Sequence, residues 1–327
     1  MPQIQVENLV KTFRVAERPP GVWGALAGLV HRRYRKVTAL NGISFSMEPG
    51  EILGYIGPNG AGKSTTVKIL SGILVPDSGH VKVIGLTPWK RRIDVVGRIG
   101  VVFGQRTQLW WDLPVIESFD LLRDIYRVPQ QRYTQNRDEL IALLNISSLL
   151  DTPVRQLSLG QRMRCDLAAS LLHSPEILFL DEPTIGLDAT TKLAFRDFIR
   201  KLNKERGVTI ILTTHDMDDI EALCQRVIVI HEGGIFQDGT LDELRIRVTN
   251  ERRLIVDLQD ENSEFNDPDM EIISREKQRI VMKFDPEKIT AAELISKVAA
   301  HHRIRDLFIE NPPIEEIIAQ LYGKVQR

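Results

Sequence analysis

Two cysteines among 327 residues, Cys165 and Cys224, leave little scope for covalent staples. Both sit in periodic apolar stretches without CxxC spacing, so neither a disulfide framework nor a structural zinc is expected, and a reducing cytosol suits the chain. Long apolar runs are missing as well. The most apolar stretch near the N-terminus, GVWGALAGLV, falls short of the roughly 20 residues needed to span a bilayer. The opening MPQIQVENLVKTF reads as a strand rather than a signal peptide. Charge of one sign is not in excess: 43 Lys+Arg against 44 Asp+Glu give a net charge of -1, which excludes a disordered polyelectrolyte and gives no global case for nucleic-acid binding. Internal repeats and low-complexity tracts are also lacking.

What the sequence does contain is enough apolar material, 43% of residues, for a sizeable core. At roughly 150 residues per domain the length suggests about two domains. From Gln3 to about Leu244, β-rich runs (EILGYI, RIGVVF, EILFLD, VTIILTTH, RVIVIH) alternate with helix-patterned segments. That alternation is the mark of an α/β domain with a covered, largely parallel sheet. Ser118 to Leu150 carries Leu, Ile and Tyr at helical spacing and reads as a helical insertion. Beyond Leu244 the strand candidates LIVDL, MEIIS, RIVMKF and DLFIE, with a helix opened by the capping pair Thr290 and Glu293, predict a small α+β unit. A last helix is expected after Asn311 and Pro312, with Ile314, Ile317, Ile318 and Leu321 on one face.

The strand EILGYI runs into Gly57, Pro58, Asn59, Gly60, Ala61, Gly62, Lys63, Ser64 and Thr65, and a helical pattern follows. Strand, glycine loop and helix in that order make a phosphate cradle: backbone N–H groups wrap the anion, the helix N-terminus faces it, and Lys63 reaches the terminal phosphates. Ser64 is the expected Mg²⁺ ligand. EILFLDEPT ends a buried strand in two carboxylates. Asp181 is expected to bind Mg²⁺, and Glu182 to act as general base for the attacking water. These elements specify a P-loop NTPase.

LSLGQ over 157–161, IGLD over 185–188 and TTHD over 213–216 follow in order around the carboxylate strand. With them the chain resembles the ATP-binding subunits of ABC transporters over about residues 3–245. The resemblance implies a RecA-like core with an antiparallel β subdomain and a helical subdomain over about 106–175. It places a domain boundary after residue 245, with 246–327 as the accessory α+β domain. Ser158, Gly160 and Gln161 match the signature that contacts the ATP of the opposite subunit. His215 matches the switch histidine, and Asp188 the aspartate that communicates across the dimer. For the lid glutamine, which reaches Mg²⁺ and the attacking water, Gln105 is chosen over Gln108; Gly104 looks like a one-residue insertion before it. The ring that stacks on adenine is Tyr34 or Phe13, with Tyr34 favoured for its distance from Gly57. Trp110 and Trp111 fit either a groove wall for a permease or domain core.

Between Phe13 and Tyr34 lies an insertion with Trp23, Leu26, Leu29 and Val30 at helical spacing before a basic cluster. It suits either a membrane surface or packing on this chain or a permease. The ending FIENPPIEEIIAQLYGK resembles the appendix of the drug- and polysaccharide-exporter branch, daunorubicin-resistance ATPases included. The resemblance thus implies an ATPase, using ATP and Mg²⁺, that dimerises head to tail with itself or a related ATPase. It would drive integral membrane permease subunits from the cytoplasmic face of the membrane, in the export direction, with no nucleic-acid partner. The alternative, a soluble ABC ATPase acting on DNA or ribosomes, fits less well. The chain has one ATPase domain, and the stretch from Lys63 to Ser158 is too short for long coiled coils. A catalytically dead module would lack the lysine, the base or the histidine, and all are present.

Overall fold

The computed structural model describes residues 1–17, 33–104, 106–248, 251–259, 270–313 and 316–317. The chain divides into two compact units, Met1–Gly239 and Thr240–Arg327.

In the first unit, the apolar runs become β3 (Ile52–Ile56), β5 (Ile99–Phe103), β6 (Ile177–Asp181), β7 (Thr209–Thr213), β8 (Arg226–His231) and β9 (Gly234–Thr240). They form one sheet in the order β5-β6-β7-β3-β8-β9. The pairs β5–β6, β6–β7, β7–β3 and β3–β8 are all parallel. Every residue of β6 and β7 is buried, which is why these strands read as unbroken apolar runs rather than alternating ones. Each fully buried Leu, Ile or Phe here contributes about 1.5–3 kcal/mol. Register brings Phe103 opposite Asp181, and Asp181 opposite Thr213, so the carboxyl ends of three strands finish level.

A second, antiparallel sheet has the order β2-β1-β4, from β1 (Ile4–Glu17), β2 (Arg33–Met47) and β4 (Ser78–Val83). The β1–β2 ribbon pairs outward as far as Glu17 and Arg33. The amphipathic helix expected over 21–30 lies outside the described residues. Helices α1 (Lys63–Leu70) and α2 (Arg92–Val96) follow the phosphate loop and β4. The helical insertion is present as α3 (Val115–Tyr126) and α4 (Gln130–Leu144), then α5 (Leu159–Leu171). Helices α6 (Ala189–Arg206) and α7 (Met217–Leu223) complete this unit.

The second unit opens with α8 (Leu241–Val248) and holds an antiparallel sheet in the order β11-β12-β10-β13. Its strands are β10 (Arg252–Leu258), β11 (Met270–Glu276), β12 (Arg279–Phe284) and β13 (Ile304–Glu310). Alternate residues of β10 and β12 are buried, and α9 (Ala291–His301) closes that face with Leu294 and Val298. The expected Thr290–Glu293 capping box is formed. Of the last expected helix only Glu316 and Ile317 are described; they are helical and Ile317 is buried. No helix among the described residues is long and apolar enough to cross a membrane.

Candidate active site

The loop after β3 turns directly into α1, whose first turn carries no acidic residue. A positive helix end therefore faces the loop with neither a side-chain cap nor an acidic residue of the helix itself to neutralise it. Gly62, at φ +112°, caps this helix. A Cβ there would stand 2.5 Å from the Ala39 carbonyl oxygen, so only glycine lets the ribbon of β2 approach the loop. Lys63 is buried, its Nζ donating to the carbonyls of Gly57 at 2.6 Å and Pro58 at 3.2 Å. Burial pulls its pKa below the usual lysine range, against the opposing pull of Glu182 and Asp181.

Ser64 Oγ donates to Asp181 Oδ1 at 3.1 Å, and Thr213 Oγ1 donates to the same oxygen at 2.6 Å. A hydroxyl and a carboxylate thus converge beside the phosphate cradle. Two hard oxygens there, with phosphate and water to complete the shell, suit Mg²⁺. No group of three or more His, Cys, Asp or Glu that would form an all-protein metal cage occurs among the described residues.

Glu182 has φ +55°, a conformation rare outside glycine. Its N–H donates to the Thr213 carbonyl at 2.9 Å. Gly104 packs so tightly on the other side that a Cβ would stand 1.9 Å from the Glu182 carbonyl oxygen. The glycine that looks like an insertion in the sequence is therefore required by its contact with the Glu182 backbone. His215 Nε2 lies 2.6 Å from Glu182 Oε1, which brings the expected switch histidine onto the expected base. A cavity of about 510 Å³ opens here, lined by Ser64, Asp181, Glu182, Thr107 and Asp166 among others. Gln105 lies outside the described residues. Gln108, the rejected candidate, is bound to α5: its Nε2 donates to the Asp166 carbonyl at 2.9 Å.

A second cluster gathers at the N-termini of α5 and α6. Ser158 caps α5, accepting from Gln161 N–H at 3.2 Å, while the Gln161 side chain accepts from Ser158 N–H at 2.8 Å. Asp188 caps α6, taking the Thr191 N–H at 2.8 Å and its hydroxyl at 2.9 Å, and these bonds hold its carboxyl below the usual range. A Cβ on Gly160 would meet the Thr191 side chain at 3.4 Å, so the two helix starts abut.

Strand register separates the two adenine candidates, Tyr34 and Phe13. Tyr34 pairs with Ala16 and Phe13 with Val37, three unbroken steps apart, so the two rings occupy opposite faces of the ribbon. Lys11, whose ammonium lies 5.6 Å from the Phe13 ring, pairs with Leu40, and Leu40 Cδ2 stands 2.7 Å from where a Gly62 Cβ would be. The face towards the phosphate loop is therefore that of Phe13. Trp110 and Trp111 are 38% and 50% exposed, with Arg162 over the Trp111 ring, which removes the core reading.

Sequence reasoning assigned no role to Thr213, whose hydroxyl bonds both the Asp181 carboxylate and the Glu182 N–H; its only signal was its place in the motif that contains His215.

A phosphate loop, strand-end carboxylates and a histidine on the second carboxylate, in this fold, define an ATPase of the ATP-binding cassette class. The chain belongs to the ABC transporter family, whose profile matches residues 40–185. The daunorubicin resistance ATP-binding protein of Streptomyces coeruleorubidus is 36% identical over 221 residues, 68% of this chain and 69% of that one. The linearmycin resistance ATP-binding protein of Bacillus subtilis (strain 168) is 28% identical over 306 residues, 91% of this chain and 98% of the relative. A solved dimeric ATP-binding cassette, in a post-hydrolysis state bound to ADP and Pi, aligns with a TM-score of 0.60 at 25% identity, covering 73% of this chain and 98% of that one. The protein is thus an ATP-hydrolysing subunit of an ABC transporter. Nothing in these matches supports the alternative of a soluble ATPase acting on DNA or ribosomes.

Proposed function

We propose that this chain powers an exporter from the cytoplasmic face of the membrane by hydrolysing Mg-ATP between two cassette subunits, its own copy or a related ATPase. The observation that carries the reading is the Glu182–His215 pair at 2.6 Å, beside the carboxylate and serine that flank the phosphate loop. Gly57, Pro58, Asn59, Gly60, Ala61, Gly62 and Thr65 cradle the phosphates, with Lys63 against the β and γ charges. Phe13 rather than Tyr34 stacks on adenine. Ser64, Asp181 and Gln105 would hold Mg²⁺, which would supply positive charge against the phosphate oxygens.

Glu182 orients a water in line with the γ-phosphorus and accepts its proton as the water oxygen bonds to phosphorus and the bond to ADP breaks. His215 holds Glu182 and donates to the γ-phosphate. Ser158, Gly160 and Gln161 close on the ATP of the opposite subunit, and Asp188 lies at the seam. The dimeric cassette with ADP and Pi supports the two-subunit arrangement. The resistance named for the two relatives supports the export direction. Separate integral membrane permeases are the expected partners, with the exposed Trp110 and Trp111 in the surface that meets them.

The test is to recover tagged Glu182→Gln protein from gently solubilised host membranes in ATP and identify what accompanies it by mass spectrometry. Stoichiometric proteins with several membrane spans are expected. Ribosomal or DNA-bound partners, or none, would overturn the transporter reading.

A further inference from the structure

Asp219 on α7 and Arg196 on α6 lie outside the lining of the cavity beside the phosphate loop. The Asp219 side chain is fully buried. Its Oδ2 accepts the hydroxyl of Thr184, two residues beyond Glu182, and its Oδ1 accepts Arg196 Nε–H at 2.6 Å. Arg196 also reaches the residue after His215: its Nη2 donates to Asp216 Oδ1 at 3.3 Å. Lys192, one helical turn earlier on α6, donates to the other oxygen of Asp216, and Asp216 N–H donates to Thr214 Oγ1 at 3.0 Å. The chain leaving β6 and the chain leaving β7 are thus fastened to the same stretch of α6.

The Glu182–His215 pair stands inside this fastening. On the sheet side Thr213 bonds the Glu182 backbone; on the far side Asp219 holds Thr184 and Arg196 holds Asp216. Glu182 needs that restraint, because a non-glycine residue at φ +55° keeps an unfavoured backbone only where its surroundings fix it. Taking both charges of a buried ion pair out of water offsets most of what their attraction returns, so an apolar pair would serve stability as well. An apolar pair would not hold Thr184 and Asp216 at fixed points, whereas directional hydrogen bonds do.

We propose that Asp219 and Arg196 are positioning residues for ATP hydrolysis, setting Glu182 against His215 through Thr184 and Asp216. This rests on the catalytic reading of that pair. Neither residue lines the nucleotide cavity, so their effect falls on the chemical step rather than on ATP binding.

The test measures ATP Kd and kcat in the full chain. Asp219→Leu combined with Arg196→Met replaces the ion pair by an apolar pair, so that no charge is left buried and unpaired. We expect this double variant to bind ATP with Kd within about twofold of wild type and to turn over at least about tenfold more slowly. Asp219→Asn, which keeps an acceptor for Arg196 and a donor for the Thr184 hydroxyl, should stay within about threefold of wild-type kcat. Wild-type kcat in the double variant, a matching loss of ATP affinity, or an equal loss of kcat in Asp219→Asn would overturn the proposal. If the double variant does not fold, Thr184→Val decides: kcat at least about fivefold lower at unchanged Kd supports the proposal, and wild-type kcat overturns it. Glu182→Gln serves as the control: full activity there fails the catalytic reading, whereas loss there with wild-type kcat in the double variant fails only the positioning.

Discussion

The ring of His173 is 7% exposed, stacks on Tyr126 with centroids 4.0 Å apart and has one nitrogen 2.9 Å from the Ile99 carbonyl oxygen. Its Nδ1 has no hydrogen-bond partner among the described residues. Burial lowers its pKa from 6.5 to about 4. Protons therefore bind the unfolded chain first as pH falls, and the stability present above pH 6.5 is lost progressively towards pH 4. At about 1.4 kcal/mol per pH unit the loss is on the order of 3 kcal/mol. Asp166 acts in the opposite sense over a similar window: burial raises its pKa from 3.8 to about 6, so its contribution grows as pH falls. The comparison that isolates His173 is between wild type and His173→Gln, by denaturant unfolding at several pH values. The variant should lose less stability on acidification, and parallel curves would contradict the assignment.

The β1–β2 ribbon decides which aromatic residue can meet adenine. If the Phe13 face is the nucleotide face, Phe13→Ala should weaken ATP binding by about 1–3 kcal/mol, the value of one base–aromatic stack, while Tyr34→Ala changes it little. Titration with ATP by calorimetry separates the two, and the reverse order would restore Tyr34. This is also where the limit of the sequence lies. Lys63, Ser64, Asp181, Glu182 and His215 are legible as candidates because each lies in a motif of fixed spacing at the end of an apolar strand or in the loop and helix that follow it. The side of a strand on which a ring stands depends on register, and the ribbon shifts register between Lys11 and Thr12. No composition signal encodes that shift. Thr213 and Asp219 escaped notice for a related reason. Their importance lies in hydrogen bonds to distant elements, and locally one reads as a strand residue and the other as an ordinary helix residue. The parallel sheet and the helical insertion, by contrast, follow from apolar periodicity alone.

At the scale of the molecule, the proposed reading gives each cassette a phosphate loop with its base and, on other elements, a signature that needs a second subunit's nucleotide to act. On that reading the chain has both halves of a site that only a pair completes. The central claim is that Glu182 is the base of the reaction this pair performs. Its direct test is phosphate release by Glu182→Gln, with ATP binding and sedimentation followed in the same samples. The expected result is ATP affinity close to wild type, turnover reduced by at least about a hundredfold, as for loss of a general base, and an accumulated ATP-bound dimer. A monomer that hydrolyses ATP at the wild-type rate would contradict it.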